Sequence, residues 1–538
     1  MSAHPSLPPA SPIGPRAVVL AAAGAALGLG ACLPHDVQQN PAPPTEVPDR
    51  FAAGETAGGE AAGEGGVDDG QGGESGPDSS AGEAAPLVDP GVAWWTTFED
   101  PQLARLVRIG LRNNLDLRAA WARLDQARAL AVQAGAPRFP SVDLELRGGR
   151  QRQFIPGIGT FDNDVFSASL PISYELDLFR RIGAQAAAAE LDARASREDL
   201  ETLAITLSAN IAEAWYDLLA ARARSDLLEQ QLDANEAFLE LTVLRFSQGL
   251  VSAVDVHQQR AVVASTQGLL AQVVSQEAEA THRLASLLGD APGTPVGTDR
   301  SDLPELPPVP RSGLPSDLLV HRPDLRAARY RVEAADWRVG SAIAGRFPSI
   351  RLTGSVGFSA TDIADLFQQV IWNVFANIGQ SIIDGGQQSA EVDLRRAQLE
   401  ESIENYGAAL LTALVEVENA LVQERQQIAF LEAQEDRAES SRNALRESRV
   451  RYQQGLTDYL TVLTALTNAQ NADLDFIAAR RQRISFRIQL HRALGGTWTR
   501  ELPMPLPRRM GGGVAAPPVD DDGEASGART GDGAPDNG

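Results

Sequence analysis

The chain carries one unit twice, and this constrains its fold more than anything else. Asp116-Leu117-Arg118-Ala119-Ala120 returns as Asp324-Leu325-Arg326-Ala327-Ala328. Arg138-Phe139-Pro140-Ser141-Val142 returns as Arg346-Phe347-Pro348-Ser349-Ile350. Both pairs are 208 residues apart, while Arg245-Phe246-x-Gln248-Gly249-Leu250 and Arg451-Tyr452-x-Gln454-Gly455-Leu456 are 206 apart. Leu288-Gly289 and Leu494-Gly495 keep the same 206-residue offset. Ordered matches at one offset define a structural repeat. The two copies span 91–300 and 301–500.

Each copy reads helix, strand pair, very long helix, break, long helix. Asp100-Pro101 is a helix start signal, and a helix is expected over 102–135. Val142, Leu144 and Leu146 then alternate with Asp143, Glu145 and Arg147. A Gly-, Pro- and Asp-containing loop is expected at 148–164. Phe166, Ala168, Leu170, Ile172 and Tyr174 alternate with serines. In the second copy Ile350, Leu352 and Val356 alternate with Arg351, Thr353 and Ser355, and Trp372, Val374, Ala376 and Ile378 with Asn373 and Asn377. Period-two patterning suits strands with one face in lipid and one in a watery lumen; it equally suits strands half-buried in a soluble sheet. Four strands cannot close a barrel, so their edges would stay open. Three chains would supply twelve.

The long helices carry a second pattern. Leu200, Leu203, Leu207, Ile211, Ala214 and Leu218 are matched in spacing by Ile403, Tyr406, Leu410, Leu414, Val417 and Leu421. Such three-four stripes are coiled-coil seams. A helix over 184–246 would run roughly 90 Å at 1.5 Å per residue. Gly249 and Gly455 are the hairpin turns, sending the chain back as helices 253–288 and 457–493. The stripes Ala264, Leu269, Val273 and Leu463, Leu466, Ala469 read as packing seams.

Beyond the extreme N-terminus no run of 18 apolar residues occurs, which excludes helical membrane spans. A chain that crosses lipid without them must use a closed barrel. The formal charge of −24 is carried largely by the ends. Residues 33–90 hold twelve acids against Arg50 alone, and 511–538 hold six against Arg529. This argues against a nucleic-acid partner, which needs clustered positive charge. The six His residues show no paired metal-ligand spacing, so no metal site is expected. No nucleophile–base set or phosphate loop suggests an enzyme.

Residues 17–31 are apolar and follow Arg16, as in a secretory signal. Leu29-Gly30-Ala31-Cys32 resembles a bacterial lipobox. That resemblance implies a signal peptide over 1–31 and an N-acyl diacylglyceryl lipid on Cys32, the only cysteine. The alternative is an ordinary signal peptide with an incidental cysteine. Leu33, where an Asp would resemble an inner-membrane retention signal, favours the outer membrane. Residues 32–90 and 501–538 are expected as unstructured acidic segments.

The body resembles the TolC-type outer membrane factor family, in its NodT/OprM-like lipoprotein branch. The resemblance rests on Trp95-Thr96-Thr97-Phe98-x-Asp100-Pro101-x-Leu103 and Tyr174-Glu175-Leu176-Asp177-Leu178-Phe179. It rests equally on His321-Arg322-Pro323-Asp324-Leu325, Phe347-Pro348-Ser349-Ile350 and Asp384-Gly385-Gly386. Arg451-Tyr452-x-x-Gly455 and Ala493-Leu494-Gly495-Gly496-x-Trp498 complete the set. It implies a membrane α+β fold: a homotrimeric twelve-stranded β-barrel, four strands per chain, continuous with a long periplasmic α-helical coiled-coil barrel. No cofactor is implied beyond the lipid. The implied function is the passive exit duct of a tripartite efflux pump. The implied partners are a periplasmic adaptor and an inner-membrane transporter of the resistance-nodulation-division type. A type I protein secretion duct is the alternative in the same class. A non-conducting coiled-coil lipoprotein is the alternative outside it.

The family also implies a periplasmic aperture at the hairpin turns. Carried over by motif, it comprises Asp255, Tyr452, Thr457, Leu460, Thr461 and Thr464. Thr461 and Thr464 stand where family members often have acids, and Thr457 where some have Arg. A threonine ring cannot repel itself or bind cations as carboxylates do. Asp255 also suits a second role, as a carboxylate stabilising the first turn of the helix after Gly249.

Overall fold

The computed structural model describes residues 34–52 and 91–503, apart from 158, 296, 298, 299, 310–312 and 314. Cys32, the signal segment and the C-terminal tail beyond 503 lie outside the described residues.

A short 3-10 turn, Trp94–Phe98, leads into α1 (Pro101–Asn113) and α2 (Leu115–Gly135). The expected single helix over 102–135 is thus two. Asn114 causes the break: its side chain accepts from the Leu117 N–H at 3.0 Å while its amide donates to the Leu287 carbonyl at 3.0 Å. Asp100 caps α1 from a buried position, accepting also from Trp215 Nε1 at 3.0 Å and from Arg300.

The first strands are β1 (Ser141–Val142), β2 (Glu145–Ile155) and β3 (Gly159–Leu176). α3 (Arg181–Ser247) follows, then α4 (Ala253–Leu288). The second copy gives the one-turn α5 (Leu318–His321), α6 (Pro323–Ala344), β4 (Ser349–Ala360) and β5 (Val370–Gly379). It ends in α7 (Gln387–Gln453) and α8 (Tyr459–Leu494). α3 and α7 are 67 residues each, about 100 Å at 1.5 Å per residue.

The expected loop at 148–164 is instead the outer half of a β2–β3 hairpin, with its turn at Pro156-Gly157. Opposed charges stabilise it: Arg152 pairs with Asp162 through two hydrogen bonds of 2.5 and 2.7 Å, and Arg150 lies 3.8 Å from Asp164. The ladder lapses between β1 and β2 opposite Pro171, which has no N–H to give.

All strands are antiparallel, in the order β1/β2–β3–β4–β5, so strands of both copies share one curled sheet. The outer edges of β1/β2 and β5 are unpaired among the described residues. The helices interlock likewise. α3 packs on α2 and α4, but also on α6 and α8 of the second copy. The repeats are therefore sequence units, not separable domains.

The main core runs along α3 and gathers Trp94, Phe98, Leu103, Trp121, Leu200, Leu207, Ile211, Trp215 and Leu218. The matching stretch of α7 buries Leu410, Val417 and Leu421 against Leu325, Leu490 and Leu494. The three-four stripes are thus seams. The expected α4 stripe is corrected: Ala264 and Leu269 are exposed. The real seam is Val256, Gln259, Val263, Thr266, Val273, Ala280 and Leu284, spaced by three, four or seven residues and holding two polar ones.

The expectation of an unstructured segment over 32–90 is corrected for 34–52. Phe51 is buried in the α7 core, and the Gln38 N–H donates to Asp336 at 2.8 Å. His35 Nε2 lies 2.5 Å from the other Asp336 oxygen, and Pro44 sits against Gly407, where a Cβ would come within 2.7 Å of it. At the other end the body runs past 500, since Leu502 is buried in the main core. Trp95 and Trp498, from opposite ends of the body, meet edge to face at 4.7 Å.

Candidate channel and hairpin-tip site

The sheet has two chemically different faces. Register aligns Val142, Ile172, Gly354 and Val374 across it, then Leu170, Val356 and Trp372, then Tyr174, Leu352 and Ala376. Most of these apolar side chains are exposed or half-exposed. The opposite face aligns Pro171, Ser355 and Asn373, then Ser173, Thr353 and Phe375, then Glu175, Arg351 and Asn377. Its polar groups bond each other: Asn373 donates to Ser355 at 2.9 Å, and Asn377 to Thr353 at 3.2 Å. Glu175 accepts from Arg181 at 2.7 Å and from Arg351 at 3.3 Å. An apolar face in water is costly. In lipid it is satisfied, and the polar face then lines an aqueous bore.

No described helix is long and apolar enough to cross a membrane. The long helices continue from one end of the sheet.

The far ends of those helices form the tips. α3 ends in a Schellman turn: Gly249, at φ +73°, donates to the Phe246 carbonyl, and Leu250 to the Arg245 carbonyl. α7 ends identically: Gly455, at φ +74°, donates to Tyr452, and Leu456 to Arg451. Both predicted hairpin glycines are therefore where the chain needs the left-handed conformation. Leu250 and Leu456 are exposed side by side with the turns.

Each returning helix has its own cap, with the chemistry exchanged. On α4, Ser252 is the cap and Asp255 reaches back: the Asp255 N–H donates to Ser252 Oγ at 3.4 Å, and the Ser252 N–H to Asp255 at 2.8 Å. On α8 the carboxylate is at the cap. Asp458 accepts from the Thr461 N–H at 2.9 Å and from its hydroxyl at 2.5 Å. These bonds hold the Asp458 carboxyl below its usual range.

The other expected aperture residues fall as follows. Tyr452 is buried, with the Arg245 guanidinium 4.5 Å over its ring and its hydroxyl without a hydrogen bond among the described residues. Burial raises its pKa, and Asp255 adds to the effect against Arg245. Asp255 and Tyr452, from different repeats, thus share one neighbourhood. Thr464 bonds back to the Leu460 carbonyl at 2.9 Å, Leu460 is exposed, and Thr457 is half-buried. Thr461 and Thr464 are both used within α8.

Sequence reading missed Asp458, which gives the tip a second carboxylate. It also missed a buried polar layer above the tip. Tyr459 Oη donates to Gln259 Oε1 at 2.8 Å, and Gln259 Nε2 to the Asn235 carbonyl at 2.9 Å. Asn235 Nδ2 donates to Thr266 at 3.0 Å, and Gln470 Nε2 to Asn235 Oδ1 at 2.9 Å. The layer ties α3 and α4 to α8. Its signal was the pair of polar residues at seam positions of α4.

A two-faced sheet open at both edges, continuous with helices about 100 Å long, defines an outer-membrane channel protein with a periplasmic helical duct. Comparison with known proteins agrees. A family model described as "Outer membrane efflux protein" matches residues 106–290 and 314–496. The chain belongs to the outer membrane efflux protein family, a family of channels. Among curated relatives, the pyoverdine export outer membrane protein OpmQ of Pseudomonas aeruginosa is 34% identical over 413 residues, spanning 75% of this chain and 87% of that protein. The probable efflux pump outer membrane protein TtgC of Pseudomonas putida is 32% identical over 433 residues, 79% and 89% of the two chains. Among solved structures, the outer-membrane channel OprN superposes with a TM-score of 0.76 at 27% identity, covering 87% of this chain and all of the other. The open-state MtrE channel of Neisseria gonorrhoeae gives 0.72 at 25% identity, covering 87% and 100%.

Proposed function

We propose that three copies of this chain close one barrel and serve as the passive exit duct of a tripartite efflux pump. The observation that carries this reading is the sheet itself: an apolar outer face, a polar inner face and two open edges. An open edge in lipid leaves backbone groups without partners, so another copy must complete it. In this reading the cargo is small molecules, drugs and toxic compounds; relatives are named for pyoverdine export, antibiotic efflux and toluene efflux. A periplasmic adaptor engages the tips, and an inner-membrane transporter of the resistance-nodulation-division type supplies the energy. Cys32 carries the N-acyl diacylglyceryl anchor. Selectivity then belongs to the transporter and the adaptor, because a passive duct has little need to recognise its cargo. Efflux rather than protein secretion is favoured by these relatives.

The test is reconstitution. Purified protein in planar bilayers should conduct, and cross-linking should stop at three chains. In cells lacking it, small toxic compounds should accumulate, and the adaptor and transporter should co-purify with it. Absence of conductance, even after substitution of the tip residues, overturns the channel reading. Cys32→Ala should abolish lipid labelling and leave the barrel intact.

A further inference from the structure

The outer face of α1 is basic and has no polar partner among the described residues. α1 carries Arg105, Arg108 and Arg112 and no acid along its whole length. Spacings of three and four put the three guanidinium groups on one face, spread over about 10 Å. The opposite face is fixed in the core through Leu103, Leu106, Val107 and Leu111, so the arginine face cannot rotate away. All three are exposed, and no hydrogen bond, ion pair or ring contact engages them within the described residues. Elsewhere arginines pair across helices, as Arg326 does with Glu198 and Glu201, and Arg481 with Glu213 and Asp217.

The sequence contains a matching segment. Residues 53–90 hold nine acids and no base. Both ends of this stretch are fixed. Before it, the Ala52 N–H donates to Glu418 Oε1 on α7 at 2.6 Å, with Phe51 buried beside it. After it, the chain resumes at Gly91 and enters the Trp94–Phe98 turn that leads into α1. The span of 38 residues has up to about 120 Å of contour, ample to reach α1. Fixed at both ends, it meets the arginine face at an effective concentration on the order of millimolar. A single exposed pair contributes little, but nine acids facing three adjacent guanidinium groups act as a network.

We infer that the Arg105–Arg108–Arg112 face of α1 is the docking surface for the acidic segment 53–90 of the same chain. Docked there, the segment neutralises the face and shields it from other anions, including anionic lipid headgroups.

A glutamate-specific endoprotease reads this directly on the full-length protein, since the segment holds five glutamates and neither Lys nor Arg. At low salt, cleavage within 53–90 should be roughly five- to ten-fold slower than in the free peptide of the same sequence. Screening by about 0.5 M sodium chloride should remove the difference. So should R105E/R108E/R112E. A second variant, D68N/D69N/D78N, lies outside the described residues and keeps every cleavage site; it should also speed cleavage. A barrel and anchor enter any lipid, so the second reading is a preference: deleting 55–88 should raise the protein's preference for phosphatidylglycerol over phosphatidylcholine vesicles at low salt. Cleavage as fast as in the free peptide at low salt, or unchanged by D68N/D69N/D78N, overturns the inference. An equal preference for phosphatidylglycerol in the intact and deleted chains also overturns it.

Discussion

The Tyr459 hydroxyl donates to Gln259 Oε1 at 2.8 Å across the boundary between the two repeats. The bond is buried, and through Gln259 it reaches Asn235 and then Gln470. The bonds among Tyr459, Gln259, Asn235, Thr266 and Gln470 all cross between helices, although Thr266 also donates to the Val262 carbonyl of its own helix. The layer therefore behaves as a rivet between the first hairpin and α8, placed just above the tip.

Tyr459→Phe should leave the Gln259 carbonyl oxygen without a donor in a dry site, at about 1–3 kcal/mol. Thermal unfolding should move down accordingly. The tip should also open more often, seen as higher open probability in planar bilayers. A variant as stable and as closed as the parent would show that the layer binds nothing together.

Ser252→Ala and Asp255→Ala separate the cap from the gate. Both break the same capping box, and each should raise hydrogen exchange in the first turn of α4 by the equivalent of about 0.5–2 kcal/mol. Only Asp255→Ala also removes the carboxylate whose charge reaches Tyr452. Uptake of large antibiotics should rise with Asp255→Ala and change little with Ser252→Ala. Equal uptake in the two would reduce Asp255 to a cap.

Gly249→Ala and Gly455→Ala should each cost roughly 1–2 kcal/mol, because both glycines sit at positive φ and a Cβ there is strained. Neither site is crowded, so backbone strain alone is tested. Hydrogen exchange at the turns is the measurement, and the two effects should match. A large inequality would mean that the two tips bear different loads.

His491 offers a pH handle. It is buried against Trp94, 5.6 Å between ring centroids, and burial followed by Arg487 pushes its pKa down to about 3. Its unfolded value is near 6.5. A histidine kept neutral by the fold gives up nothing above that value. As pH falls from about 6.5 towards 3, the unfolded chain takes the proton and the native one does not, so stability drops by about 1.4 kcal/mol per unit. His491→Phe keeps a stacked ring and should flatten this slope between pH 6.5 and 4. An unchanged slope would assign the acid sensitivity to other groups.

Much of this architecture was legible because it is periodic. The helix expected at 184–246 runs Arg181–Ser247, and both hairpin glycines adopt the left-handed turn. What escaped was whatever depends on a partner strand or helix. Gly148-Gly149 and Asp162-Asn163-Asp164 read as loop one strand at a time; only pairing shows Arg150 opposite Asp164 and Arg152 opposite Asp162. The α4 seam was displaced because Gln259 and Thr266 interrupt its apolar run, although their polarity is satisfied by other helices. Asp458 was overlooked because a helix cap and an aperture acid look alike in a sequence. Phe51, a single aromatic in a proline-rich stretch, gave no period at all.

The unpaired edges of β1/β2 and β5 have a genetic consequence. In the three-chain barrel proposed above, every copy lends one edge to each neighbour, so one defective edge disables a whole assembly. With equal amounts of intact and edge-damaged protein, random mixing leaves about one barrel in eight fully intact. Damage to an edge strand should therefore be dominant, while damage confined to a hairpin tip is diluted among its partners.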